Sequence, residues 1–351
     1  MATSRTNRRT PAAGRAAYLV LGMHRSGTSA VTQLLALAGA TLPQNVMPGD
    51  EHNAKGYFEP WKIALFDDER LRAAGSAWDD PFAFPFRTLA PAVERRWKVR
   101  AAAVLAQEYG DAAWPLIKDP RVTVLLPLWR AVLATAGLSI RCVIPVRHPL
   151  AVAGSLRRRD GFTDQKSVLV WTSYMLAAEA YTRDLPRAFV AYDALLDDWR
   201  GEVRGIEAAH GARLPKLTAK AASAIDAFLT PELRHNAGDG DLAPLDWVGE
   251  LAQSVLDALS GPEPDRSALN DAAARLSAWQ ARIGMLVSPI ARDLDAARAE
   301  LAEMTRRVEV AEALQAHQRE VLETGWRNDV ADLRDVLGSL SAELDNILLD
   351  D

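Results

Sequence analysis

Residues 17–39 read AYLVLGMHRSGTSAVTQLLALAG, and the fold class follows from how that stretch divides. Ala17 to Leu21 is a short continuous apolar run, the pattern of a strand buried on both faces. It breaks into Gly22-Met23-His24-Arg25-Ser26-Gly27, after which Val31, Leu34, Leu35 and Ala38 recur at helical spacing up to Gly39. A strand, a glycine-bounded turn and a helix in that order create a corner for an oxyanion. The N–H groups of the first helical turn have no intrahelical partner, and the aligned peptide dipoles add partial positive charge there. Gly22 and Gly27 are separated by four residues, as in the nucleoside-triphosphate P-loop, where lysine and then Ser or Thr follow. Here Gly27 is followed by Thr28 and Ser29, and the cation, Arg25, stands inside the loop. Without the lysine, the loop is poorly suited to clamping β- and γ-phosphates with a metal ion, which disfavours a P-loop kinase or NTPase.

Working outward, Trp114 to Ile117, Ile140 to Val146 and Ala188 to Ala191 are further apolar runs of buried-strand type, each followed by a helix-compatible segment. Alternating strand and helix imply an α/β fold, a P-loop-like parallel sheet flanked by helices. Between Pro43 and Pro91 the chain reads as an irregular insertion rich in Pro, Gly and aromatics, too long for a plain connection. From about Ser288 proline and aromatics thin out, and Val330, Leu333, Leu337, Leu340, Leu344 and Ile347 alternate by three and four, a heptad seam. Leu294, Leu301, Met304, Val308 and Ala311 obey the same rule, then Gln315 and Gln318 enter the seam and Gly325-Trp326 interrupts it. The spacing therefore predicts two helical pieces with a register break. The expected organisation is a disordered basic tail over 1–15, a catalytic domain over 16–287 and a helical, coiled-coil extension over 288–351. That extension either packs on the core or makes a homo-oligomer.

The strand Ile140 to Val146 ends in Arg147-His148-Pro149, and Ser155 lies eight residues after Arg147. Pro149 suits a helix start, so Arg147 leaves the carboxyl edge of the sheet and Ser155 lies about two turns along. The planar guanidinium fork suits a phosphate. Arg25-Ser26-Gly27-Thr28-Ser29 resembles the 5′-phosphosulfate loop of sulfotransferases that use 3′-phosphoadenosine 5′-phosphosulfate (PAPS), and Arg147 with Ser155 resembles their 3′-phosphate grip. Asn53 to Glu59, Lys118 to Arg121, Tyr192 to Leu196 and Phe228 to His235 are similar to segments of bacterial members, over about residues 16–240. In place of the proline frequent in the family, this chain has Ala54.

The resemblance implies PAPS as donor, bound by Arg25, Ser26, Gly27, Thr28, Ser29, Arg147 and Ser155, and a hydroxyl acceptor; the Ala- and Arg-rich composition suggests a bacterial chain, and the acceptor expected is a carbohydrate or glycoconjugate. Arg25 and Thr28 would stabilise charge on the leaving phosphate. The general base it implies is a glutamate or histidine after the first helix. Glu59 comes first, with His24 and His52 as rivals; His24 sits inside the loop, where it would reach the sulfuryl group. Lys118 and Arg121 follow a buried strand and either reach that group or pair with Asp119. Trp78, Phe82, Phe84 and Phe86 stack on an acceptor or belong to local core. Arg157-Arg158-Arg159 reads as a solvated face, His148 as a strand-end residue bonded to backbone, and Arg234 and His235 have no assigned role.

Composition is consistent with this. The net charge of −5 over 351 residues gives no reason to expect nucleic acid as partner. One cysteine, Cys142, excludes an internal disulfide and a cysteine-rich zinc site, and no clustered His/Asp/Glu set calls for a metal. No apolar stretch is long enough to span a bilayer, and the expected location is cytoplasmic. A non-catalytic coiled-coil scaffold carrying a degenerate nucleotide fold is the alternative from outside the enzymes.

Overall fold

The structure, a computed structural model, describes residues 14–49, 56–83, 87–234, 240–261 and 263–349. Most of the expected N-terminal tail, His52, Asn53 to Lys55, Phe84, Phe86 and His235 lie outside the described residues. The chain divides into two compact units, one ending at Ser288 and the other beginning at Pro289.

The first unit holds a parallel sheet of β1 (Ala16–Val20), β2 (Leu116–Ile117), β3 (Ser139–Val146) and β4 (Arg187–Ala191), in the order β2-β1-β3-β4. These are the four runs read as strands. β2 is reduced to two residues because Pro115 has no N–H for the ladder, though its carbonyl still accepts from Tyr18 N–H at 2.8 Å. The helices in chain order are α1 (Thr28–Leu37), α2 (Trp61–Ala73), α3 (Pro91–Tyr109), α4 (Pro120–Val124), α5 (Leu126–Thr135), α6 (Pro149–Asp160), α7 (Asp164–Thr182), α8 (Tyr192–Asp197), α9 (Trp199–His210), α10 (Ala219–Phe228), α11 (Trp247–Leu259) and α12 (Arg266–Leu349). Alternation along β1 sends Ala17 and Leu19 into one core and Tyr18 and Val20 into another. The first core is closed by α2 to α7, α11 and the opening turns of α12, the second by α1 and α8 to α10. Both faces are therefore covered, which is why the strands read as unbroken apolar runs.

Two expectations change. The segment between Pro43 and Pro91 contains a regular helix, α2, whose buried face is Ile63, Ala64, Phe66, Asp67, Arg70 and Leu71. The spacing is helical, but two of the six positions are charged, so the apolar period is hidden. Arg70 pairs inside with Glu94 at 2.5 Å and donates to the Arg87 carbonyl at 2.8 Å, and Asp67 Oδ1 accepts from Trp129 Nε1–H at 2.9 Å. At the other end, the heptad segment forms one helix, α12, rather than two pieces, and it starts at Arg266, well before Ser288. Asp265 caps it by accepting from Ser267 and Ala268 N–H, and Leu269, Ala272 and Leu276 are buried. Gly325 does not break it, since one glycine costs a helix only about 1 kcal/mol among strong helix formers; the break is in the apolar pattern alone.

β1 leads outward to β2, and β3 outward to β4, so the strand order reverses between β1 and β3. The carboxyl ends of these two strands form the crevice where open α/β sheets bind ligands.

Candidate functional site at the carboxyl edge of β1 and β3

The loop from Leu21 to Gly27 is anchored from both sides. Leu21 N–H donates to the Val143 carbonyl at 3.0 Å, and Gly22 N–H to Thr123 Oγ1 at 2.8 Å. Gly22, Arg25 and Gly27 all have left-handed φ, at 117°, 66° and 92°. Glycine adopts such angles freely, whereas for Arg25 the conformation costs of order 1 kcal/mol, strain of the kind held at functional loops. Gly27 is required for a second reason: a Cβ there would lie 2.2 Å from Cδ2 of Tyr192. The first intrahelical bond of α1 runs from Val31 N–H to the Gly27 carbonyl at 3.2 Å, so the amides ahead of it form the helix N-terminus at this corner.

The two motifs spaced far apart in sequence meet here. Arg25 Nε donates to Ser155 Oγ at 2.7 Å, and Arg147 Nη1 donates to the Arg25 carbonyl at 3.2 Å. Arg147 leaves β3 next to His148, whose Nδ1 accepts from Leu150 N–H at 3.3 Å and caps α6, bringing Ser155 back over the loop. The Arg147 guanidinium lies 4.5 Å from the Tyr192 ring centroid. Tyr192 is the residue sequence reading missed. It opens α8 directly after β4, packs on Gly27, carries Arg147 and donates its hydroxyl to the Leu233 carbonyl at 2.8 Å. Its place immediately after a strand, at the edge where the loop lies, was the available signal. Burial lowers Arg25 and Arg147 below their ordinary values, but arginine starts so high that both stay charged.

The second group of side chains sits beside the start of α1. Lys118 Nζ donates to Glu59 Oε1 at 2.6 Å, to the Tyr57 carbonyl at 2.9 Å and to Ser29 Oγ at 3.5 Å. Lys118 and Glu59 are both buried, 2% and 3% exposed. Arg121 sits behind them, 3.9 Å from Glu59 Oε2, 2.9 Å from Asp119 and 2.6 Å from Asp68. Burial alone would lower Arg121; the carboxylates of Asp119, Asp68 and Glu59 outweigh it and raise it. Lys118 is thus joined to the loop helix through Ser29, whereas Arg121 is an ion-pair partner of three acids.

His24 is buried, and its Nε2 has no hydrogen-bond partner; Ser26 Oγ, at 0% exposure, is also without one. Burial, then Arg159, Arg121, Lys118 and Arg25, hold the His24 imidazole well below its ordinary value, so it is neutral at pH 7. Trp78 meets the His24 ring edge-on at 4.7 Å and stacks on Phe162 at 5.7 Å, with Arg159 5.5 Å from its centroid. Phe82 is partly buried against the first core. Of the arginine run, Arg157 pairs with Asp164 and Arg159 with Asp160, while Arg234 bridges Asp193 and Asp197. Among the described residues no group of three His, Cys, Asp or Glu side chains is placed to hold a metal, and no helix is long and apolar enough to cross a membrane.

Buried Arg147, half-buried Arg25, Gly27 under the Tyr192 ring, the N-terminus of α1 and the buried, unpartnered Ser26 hydroxyl are gathered at the carboxyl edge of β1 and β3. No protein-family model matches the chain, and no curated protein matches it either. Among solved structures the likeness is to sulfotransferases. The chain is similar to the sulfotransferase domain of the olefin synthase from Synechococcus PCC 7002, at 15% identity over 77% of this chain and 96% of that one, with a TM-score of 0.39. The sulfotransferase domain of the curacin biosynthetic pathway gives 13%, 75%, 98% and 0.38, and the sulfotransferase STF1 of Mycobacterium tuberculosis H37Rv gives 14%, 60%, 70% and 0.35. At this level of identity and superposition, the functional reading rests on the chain's own residues.

Proposed function

We propose that the protein transfers a sulfuryl group from PAPS to a hydroxyl acceptor. The observation that carries this is the meeting of Arg25, Ser155 and Arg147 within hydrogen-bond distance at the crevice between β1 and β3. A phosphosulfate loop and a separate 3′-phosphate grip have to converge in this way for one nucleotide to span them. When bound, the donor supplies an activated sulfuryl group whose departure leaves charge on the 5′-phosphate. Arg25, Thr28 and the amides at the start of α1 are placed to neutralise that charge, and Arg147 with Ser155 to hold the 3′-phosphate. Ser26 Oγ and Ser29 are the remaining hydroxyls of the loop that would bind the donor.

Proton removal from the acceptor we assign first to His24. Its Nε2 is unpartnered and its ring neutral, so it can accept; dianionic substrate beside Arg25 would offset the cationic field and raise its basicity toward the useful range. Glu59, the base expected from sequence, is held by Lys118 at 2.6 Å, and we read that pair as orienting Lys118 toward the transferred group. The acceptor face is Trp78 with Phe162, a flat apolar surface that suits a carbohydrate or glycoconjugate. A cytoplasmic setting and self-association through α12 complete the reading.

The test is turnover with radiolabelled PAPS and a panel of hydroxyl acceptors, glycans included. Label moving to an acceptor, and failing to move with His24→Gln, supports the assignment. Phosphoryl transfer from ATP with magnesium would replace it with the kinase reading.

A further inference from the structure

The second unit is a helix on which residues 301–342 are all exposed. Leu301, Met304 and Val308 are 64%, 54% and 56% exposed, and Leu333, Leu337 and Leu340 are 62%, 65% and 51% exposed. These residues lie on the seam spacing of three and four. Placing Leu301 and Val308 at heptad position a puts Met304 at d; after Leu322 one extra residue intervenes, and Val330 and Leu337 resume position a with Leu333 and Leu340 at d. Such a stripe requires a partner, and the flanking charges say which one.

Position g carries Asp293, Glu300, Arg307 and Asp329, three acids and one base. Position e carries Arg298, Glu312, Arg319 and Arg334, three bases and one acid. In a parallel pair, g of one helix faces e of the next heptad on the other, five residues on. That pairs Asp293 with Arg298, Asp329 with Arg334, and the exceptional base Arg307 with the exceptional acid Glu312. Glu300, Leu314 and Val336 meet Thr305, Arg319 and Ser341, so no like charges oppose each other. An antiparallel pair sets g against g and e against e, which forgoes all three of these g-to-e pairs and sets Glu300 near Asp329. Ala297 and Ala311 at d let two helices approach closely, and Gln315 and Gln318 at successive a and d positions are polar seam residues of the kind that fix register.

We propose that the occupant of this face is a second copy of the same helix, in a parallel, in-register, two-stranded coiled coil running from Leu294 through Leu340. The proposal rests on the reading of α12 as a self-association segment but not on sulfuryl transfer. It joins two first units to the same end of one paired helix, which suits an acceptor presenting several hydroxyls.

The experiment uses the full chain with Leu301→Cys or Leu333→Cys, each oxidised alone and as a mixture, beside sedimentation equilibrium of the unmodified protein. Cys142 is buried and serves as its own control in the unmodified chain. In-register parallel pairing gives a dimer mass and a disulfide-linked dimer from each variant alone, with no mixed 301–333 product. Cross-linking only in the mixture would overturn the orientation, a larger mass would overturn the two-stranded state, and a monomer would overturn self-association itself. As a check independent of cysteine, Arg307→Glu raises the dimer dissociation constant about tenfold, and adding Glu312→Arg restores it. Failure of the second change to rescue the first would remove the g-to-e pairing.

Discussion

The two units break the usual rule of burial in opposite directions. In the first, charge is inside: Arg147, Lys118 and Glu59 are at most 9% exposed, and Nε2 of His24, a residue 7% exposed, lacks a hydrogen-bond partner. In the second, apolar residues are outside, with Leu322, Trp326 and Leu337 at 73%, 69% and 65%. A buried polar group costs free energy unless it is satisfied, and an exposed apolar stripe forgoes burial unless it is covered. On the proposed reading, each departure marks where the chain would make its contacts, with a charged small molecule in one case and with a second copy of the helix in the other.

The strongest way to break this contrast is to unpair the buried charge. Lys118→Met removes the 2.6 Å partner of buried Glu59, leaving only Arg121 at 3.9 Å, and should cost about 3–5 kcal/mol of unfolding free energy, read by urea titration. Adding Glu59→Gln should recover most of it; a single variant as stable as the parent would show that the pair is solvated. Next is His24→Gln, with turnover expected to fall about 10²–10⁴-fold while nucleotide affinity changes less than threefold. Turnover within a few-fold of the parent would return the role of base to Glu59. Gly27→Ala puts a methyl group into the Tyr192 ring, so the donor Michaelis constant should rise at least about tenfold, corresponding to roughly 1.4 kcal/mol; unchanged donor binding would show that the loop and α8 separate readily.

Acid stability sharpens the same point. Burial lowers both His24 and His210, so the unfolded chain takes up these protons at a higher pH than the folded one. Stability then rises with pH through the ordinary histidine range and is lost as pH falls below about 6.5. His24→Gln should flatten that slope in thermal melts between pH 5 and 7, and an unaltered slope would place the protonation elsewhere. The smallest expected effect on chemistry comes from the second unit: Val308→Asp with Leu337→Asp should abolish self-association yet leave turnover on a small soluble acceptor within twofold. A large loss would mean that the pairing contributes to the site.

Much of this was legible in sequence for one physical reason. The parallel sheet is buried on both faces, so its strands are written as apolar runs, and the loop between Gly22 and Gly27 needs glycine where the backbone is left-handed and crowded. What escaped reading was written in charge. α2 hides behind Asp67 and Arg70, whose partners Trp129 and Glu94 come from other helices. The Lys118–Glu59 pair joins residues far apart along the chain, and Tyr192 acts by packing on Gly27 and Arg147, a relation with no local period. The continuity of α12 was obscured because an extra residue in the seam disturbs the apolar register without disturbing the backbone.

The most direct test is calorimetric titration of the parent protein and of Arg147→Ala with 3′-phosphoadenosine 5′-phosphate, beside ATP with magnesium. The account requires the bisphosphate to bind the parent and to lose at least about a hundredfold in affinity, roughly 2.7 kcal/mol, in Arg147→Ala, with ATP binding weakly. Equal binding by both proteins, or a preference for ATP with magnesium, would contradict it.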